Sequence, residues 1–123
     1  MAKYTFVVLS NPTTPGQEAE YNEWYNKVHI PDVLNVPGFV AAQRCKVADA
    51  QLDGYSGAHR YLALYEIETD DLQGALNDLA SRRDTPDMVM SDAIDLKNAA
   101  AFIFTPAAER VMATDVARPR RAA

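Results

Sequence analysis

The order in which strand-like and helix-like stretches alternate constrains this chain most. Four runs read as strands: Tyr4 to Ser10, Phe39 to Val47, Arg60 to Ile67 and Asn98 to Thr105. Each is rich in β-branched, aromatic or alternating apolar residues, with turn-forming residues close by. Helical periodicity appears only in the first and third gaps between them. The middle gap, Ala48 to His59, holds Asp49, Asp53, Gly54, Ser56 and Gly57, and its composition predicts an exposed loop. Strands joined in this way pair antiparallel. The order is therefore β-α-β-β-α-β, an α+β chain with a four-stranded antiparallel sheet and both helices on one face.

The first helical stretch carries the most chemistry. Thr14-Pro15-Gly16-Gln17 reads as its start: Thr14 caps, Pro15 suits the first helical position, and Gln17 completes a capping box. Tyr21, Trp24, Tyr25 and Val28 then recur at helical spacing and predict one aromatic face. Pro31 is expected to end this helix, because the residue before a proline is pushed out of the α region. That places His29 at a helix C-terminus, a turn before Val36-Pro37-Gly38-Phe39 leads into the second strand. There, strict alternation puts Phe39, Ala41, Gln43, Cys45 and Val47 on one face and Val40, Ala42, Arg44 and Lys46 on the other. Thr69 is the expected cap of the second helix, whose stripe is Leu72, Ala75, Leu76, Leu79 and Ala80 and whose end is Arg82-Arg83. Asp84 to Ser91 suggests a short additional helix.

Bulk properties narrow the function classes. With 123 residues and 48% hydrophobic content, residues 1–106 suffice for one cored domain, with residues 107–123 as a tail. Arg118, Arg120 and Arg121 make the only basic cluster, in a proline-containing stretch read as disordered. A net charge of −5 argues against nucleic acid as a partner. No apolar run approaches the roughly 20 residues of a membrane-spanning helix, and Met1-Ala2-Lys3 enters a strand directly, so no membrane partner and a cytoplasmic location are expected. Cys45 alone excludes an internal disulfide. Two distant histidines offer no metal-ligand spacing, and there is no phosphate-binding glycine loop, so no metal or nucleotide cofactor is expected.

His29 is a candidate general acid or base, with Asp32 placed to orient its ring; the alternative is a residue that caps helix carbonyls. Trp24, Tyr21 and Tyr25 either line a pocket for an aromatic ligand or pack the core. Arg44 either faces the helices, where its guanidinium would hold an anionic or enolate oxygen, or is a solvated residue paired with Glu66 or Asp49. Tyr65 is a candidate proton or hydrogen-bond donor. His59 is expected in solvent. The open sheet face would carry Tyr61 or Leu62, Phe102 or Ile103, and Phe39 or Val40, and its cover is expected to be a second copy of the chain.

Taken together, Tyr21-Asn22-Glu23-Trp24-Tyr25, His29-Ile30-Pro31-Asp32, Val36-Pro37-Gly38-Phe39 and a strand with Arg44 resemble the dimeric α/β-barrel superfamily, and within it the EthD-like proteins. The resemblance runs over roughly residues 4 to 106. It implies a ferredoxin-like monomer, a homodimer of facing sheets and a ligand cavity between sheet and helices. Members include polyketide cyclases, cofactor-free monooxygenases, muconolactone-type isomerases and haem-degrading enzymes. The family's His-x-Pro histidine falls on His29 and its paired aromatics on Trp24 and Tyr25. The Asn/Trp/His set of the haem-degrading members is missing from its usual strand context. The implied activity is a cofactor-independent enzyme acting on a small hydrophobic, aromatic or enolisable compound. The alternatives are a non-catalytic binding protein of an oxidative pathway and a haem-degrading monooxygenase.

Overall fold

The computed structural model describes residues 1–117. The chain runs β1 (Ala2–Ser10), a 3-10 turn (Pro15–Gln17), α1 (Glu18–Trp24), a π-helical turn (Tyr25–His29), α2 (Ile30–Leu34), β2 (Phe39–Lys46), β3 (Tyr61–Thr69), α3 (Leu72–Arg82), β4 (Ala100–Phe104) and a last 3-10 turn (Ala113–Asp115). The sheet is antiparallel throughout, in the order β2-β3-β1-β4. This is the ferredoxin-like α+β arrangement the alternation of patterns predicts.

Register explains which side chains meet the helices. Phe6 lies opposite Tyr65 and Ile103, Val8 opposite Ala63, Ala42 opposite Tyr65 and Arg44 opposite Ala63. These share one face because paired residues project to the same side of a sheet. Tyr21, Trp24, Tyr25 and Val33 pack down on Tyr61, Ala63, Tyr65 and Ile67, with Ala75, Met88, Ala93 and Ile94 completing the core. On the other face lie Val7, Leu9, Leu62 and Leu64, with Phe102 at 53% and Phe104 at 56% exposure. The open face is thus the side of Leu62 and Phe102, not of Tyr61 and Ile103.

Several local expectations are corrected. A bulge between Phe39 and Ala41 breaks the alternation of β2, so Phe39 turns to the helices with Ala42 and Arg44. Gly38, at φ +97°, makes the sharp entry to β2 possible. The cap of α3 is Asp71 instead of Thr69: Asp71 Oδ1 accepts from the Gly74 N–H at 2.9 Å, while Thr69 Oγ1 accepts from the Asp71 N–H. At the first helix, Thr14 Oγ1 donates to Gln17 Oε1 at 3.0 Å, and no backbone N–H is capped by Thr14. Asp84 to Ser91 forms turns and no helix. Asp84 adopts the left-handed region at φ 62° and Pro86 follows, so too few residues remain to nucleate one. His59 is half-buried, its Nε2 bonded to the Asn98 carbonyl at 2.6 Å. The tail arginines 118, 120 and 121 lie outside the described residues. Among the described residues no helix is long and apolar enough to cross a membrane.

The cap assignment has a direct check. Asp71→Ala should lower unfolding free energy by about 1 kcal/mol in urea titrations, and Thr69→Ala by distinctly less.

Candidate functional site

One wide helical turn shapes the site. The Ile30 N–H reaches back to the Tyr25 carbonyl, a five-residue step that widens the helix by one residue. Pro31 therefore does not end the helix. It falls in the first turn of α2, where a missing N–H leaves no bond unmade. Ile30, before the proline, holds helical angles (φ −57°, ψ −50°), supported by the packing of its neighbours. His29 is consequently mid-helix and caps nothing. The added residue also rotates the helix: Val28 moves to 37% exposure, and His29 takes the inward position that the aromatic face reserved.

The inward ring meets a cavity of about 380 Å³, within the range of small-molecule sites, about 300–1,000 Å³. Its walls are the helix-facing side of β1 and β3 (Phe6, Val8, Tyr65), the π-helical turn (Tyr25, His29), α3 (Leu76, Leu79) and the connection to β4 (Arg83, Met88, Met90, Ile94). Trp24 stacks on His29 at 4.6 Å between ring centroids, 23° from parallel, and Tyr25 meets it edge-on at 5.2 Å. Two aromatic neighbours thus fix the imidazole plane.

Two of the residues lining this cavity each carry a buried polar atom without a partner. His29 Nδ1 and the Tyr65 hydroxyl are both buried without a hydrogen bond in the protein. Their ionisation follows from that setting. Burial, and then the positive charge of Arg83, hold His29 down to about 4, so it is neutral near pH 7. Burial raises Tyr65 far above the usual phenol range, with Tyr25 adding to the effect. Burial also pushes Tyr25 up to about 12. Apart from Arg83, the polar side chains lining the cavity are therefore neutral and act as hydrogen-bonding groups.

The remaining expected site residues divide. Arg44 does face the helices, and it pairs with neither Glu66 nor Asp49. It donates from Nη1 to Asn26 Oδ1 at 2.8 Å and from Nη2 to Asn22 Oδ1 at 3.0 Å, and its guanidinium lies 4.3 Å from the Tyr25 ring centroid. It does not line the cavity. Tyr21 is fully buried, its hydroxyl 2.6 Å from Ser10 Oγ, also away from the cavity. Trp24 supports the site from behind: its ring backs His29, and Nε1 donates to the Val89 carbonyl at 3.0 Å, tying α1 to the β4 connection. Asp32 neither lines the cavity nor bonds the imidazole, whose Nδ1 is unpartnered. The expected orienting carboxylate is replaced by aromatic stacking. Arg83, Met88 and Met90 were not anticipated as site residues. The closely spaced methionines after a helix that ends in Arg82-Arg83 are the signal that points to them. Among the described residues no cluster of three His, Cys, Asp or Glu side chains is arranged for a metal ion.

A family model described as a domain of unknown function, DUF4286, matches residues 11–80. None of the curated proteins matches the chain. Among solved structures, the chain is similar to an ethyl tert-butyl ether d (EthD) family protein from Bacillus halodurans C-125, at 13% identity and a TM-score of 0.48, over 86% of this chain and 99% of that one. It is also similar to a dimeric ferredoxin-like protein of unknown function from Thermobifida fusca YX, at 14% identity and a TM-score of 0.46, over 85% of this chain and 92% of that one.

The depressed His29 has a stability consequence. Its folded value lies below its ordinary 6.5, so the unfolded chain binds the proton more tightly. The associated stability is complete above about pH 6.5 and is lost as pH falls toward 4. His29→Gln should flatten that part of the stability-pH curve, and the imidazole resonances of the wild type should titrate near 4 in NMR spectra.

Proposed function

The chain belongs to the DUF4286 domain family, a name that carries no activity, and we propose its function from the site: it binds a small, largely apolar, aromatic or enolisable molecule in the cavity and moves a proton on it. His29 Nδ1 takes a proton from a carbon next to a carbonyl and returns it elsewhere on the same molecule. The Tyr65 hydroxyl donates a hydrogen bond to the carbonyl oxygen as negative charge grows there. Tyr25 and the Leu and Met side chains hold the ring system, and Trp24 and Arg44 position His29 and Tyr25. The observation that supports this reading is a pair of unpartnered buried atoms, His29 Nδ1 and Tyr65 OH, belonging to two residues that line one apolar cavity. Leaving such an atom unbonded costs about 1–3 kcal/mol, and a ligand that bonded it would recover that cost.

One observation favours a second reading, binding without turnover. A histidine held at about 4 is a weak base at neutral pH, whereas proton transfer is most effective when the base titrates near the working pH. Deuterium exchange separates the two. With 2-tetralone in heavy water, the protein should accelerate exchange at the α-carbon, and His29→Gln should reduce the rate by roughly 10²–10⁴-fold. Binding of the ketone with no accelerated exchange supports the second reading. Tyr65→Phe should weaken ketone binding while leaving the melting temperature unchanged or raised, since the hydroxyl it removes has no partner in the folded protein. A lower melting temperature with unchanged binding would show a structural hydroxyl.

The quaternary state belongs to the same proposal. The open face presents Val7, Leu62, Leu64, Phe102 and Phe104 as a flat apolar surface, and a second copy offers the same surface by symmetry. The protein should scatter as a homodimer, and Phe102→Lys with Phe104→Lys should yield a folded monomer.

A further inference from the structure

We propose that the cavity selects an anion, a small apolar body bearing a carboxylate, and that Arg83 is the residue that recognises the charge. This rests on the cavity being a ligand site and adds the class of ligand.

Two observations point the same way. Among the described residues Arg83 is the only Lys, Arg, Asp or Glu on the cavity wall, so no described carboxylate opposes it; the other polar side chains there are His29, Tyr25 and Tyr65, all uncharged near neutral pH. Arg83 also makes no ion pair and no side-chain hydrogen bond among the described residues. Its neighbour Arg82 is held by Asp78 at 2.9 Å, Arg60 by Glu18 at 3.2 Å, and Arg44 by two asparagines.

The backbone explains how two adjacent arginines come to differ. α3 ends at Arg82, Arg83 takes extended angles (φ −57°, ψ 135°), and Asp84 turns into the left-handed region. Arg83 therefore leaves the outer helical row, where Arg82 pairs back to Asp78, and joins the cavity wall. Its field reaches the interior, since the charge helps to keep His29 neutral. Arg83 is itself exposed, so its guanidinium stands at the rim of the cavity, where a ligand's acid group can reach it without leaving water completely. A guanidinium presents two parallel N–H donors to a carboxylate, and an ammonium does not. A ligand with its acid at Arg83 would lay its apolar body against Leu76, Leu79, Met88 and Met90. The chain carries a net charge of −5, so an unpaired cation at this wall also offsets the general repulsion of anions.

A matched pair of probes tests this: 2-naphthoate and 2-naphthamide, which share an aromatic body and differ in charge. Isothermal titration at pH 7 in low salt should show naphthoate binding at least tenfold tighter than naphthamide. Arg83→Gln should erase that preference while leaving naphthamide affinity in place, Arg83→Lys should retain part of it, and Arg82→Gln should retain all of it. Equal wild-type affinity for the two probes overturns charge selection and leaves the apolar ligand site standing. A preference that survives Arg83→Gln overturns the role of Arg83. Failure of both probes to bind overturns the ligand site and this inference together.

Discussion

The stack of Trp24 on His29 is the contact on which the site depends. It exists because one residue too many is wound into a helix between Tyr25 and Ile30. Without that residue, regular winding would bring Val28 under the aromatic face, and the wall would carry a methyl group where it now carries a ring nitrogen. The widened turn also makes Pro31 tolerable, since the next helical segment begins just before it. A single local irregularity thus sets the aim of the imidazole, the continuity of the helix and the approach to β2. Loss of packing around the turn would disturb all three.

Aromatic packing does here what a carboxylate does in many histidine sites. A partner such as Asp32 would hold the ring by a hydrogen bond and raise its affinity for a proton. Stacking holds the ring without doing either. The imidazole is consequently fixed in place and poorly charged, and Nδ1 is left without a hydrogen-bond partner in the protein. The same logic applies to Tyr65, whose hydroxyl is fixed by the sheet and bonded to nothing. An aromatic pair is worth about 0.5–1.5 kcal/mol beyond its buried area, comparable to the cost of one unbonded buried atom. The cluster of Tyr21, Trp24, Tyr25 and Tyr61 is therefore enough to tolerate such atoms in the wall.

The sequence was most legible where periodicity speaks alone. The four strands, the two helical regions and the existence of an open apolar sheet face follow from alternation and composition, because each depends on a repeat several residues long; which of the two faces is open came only from the structure. The failures sit at single-residue irregularities. The Phe39–Ala41 bulge shifts which residues face the helices, and the π-helical turn does the same to Val28 and His29. Both depend on tertiary packing that no short window contains. Pro31 misleads for the same reason: the local rule is sound, but the wide turn upstream removes the conflict it assumes. His29, Tyr25 and Tyr65 were legible as candidates by residue type. Arg83, Met88 and Met90 were not, because they reach the cavity from a connection with no period of its own. Arg44 was legible as a candidate, but neither its inward orientation nor its supporting role was, since its two asparagine partners are set by helix placement.

β4 links the two apolar features of the fold. Its register puts Ala101 toward the cavity and Phe102 and Phe104 on the open face, so one edge strand serves both. β4 pairs with β1 alone, and it is reached through the connection that Trp24 Nε1 ties down at Val89. A partner seated on Phe102 would press against the reverse side of the strand that closes the cavity. The proposed homodimer and the proposed ligand site would therefore meet at one strand, from its two opposite faces.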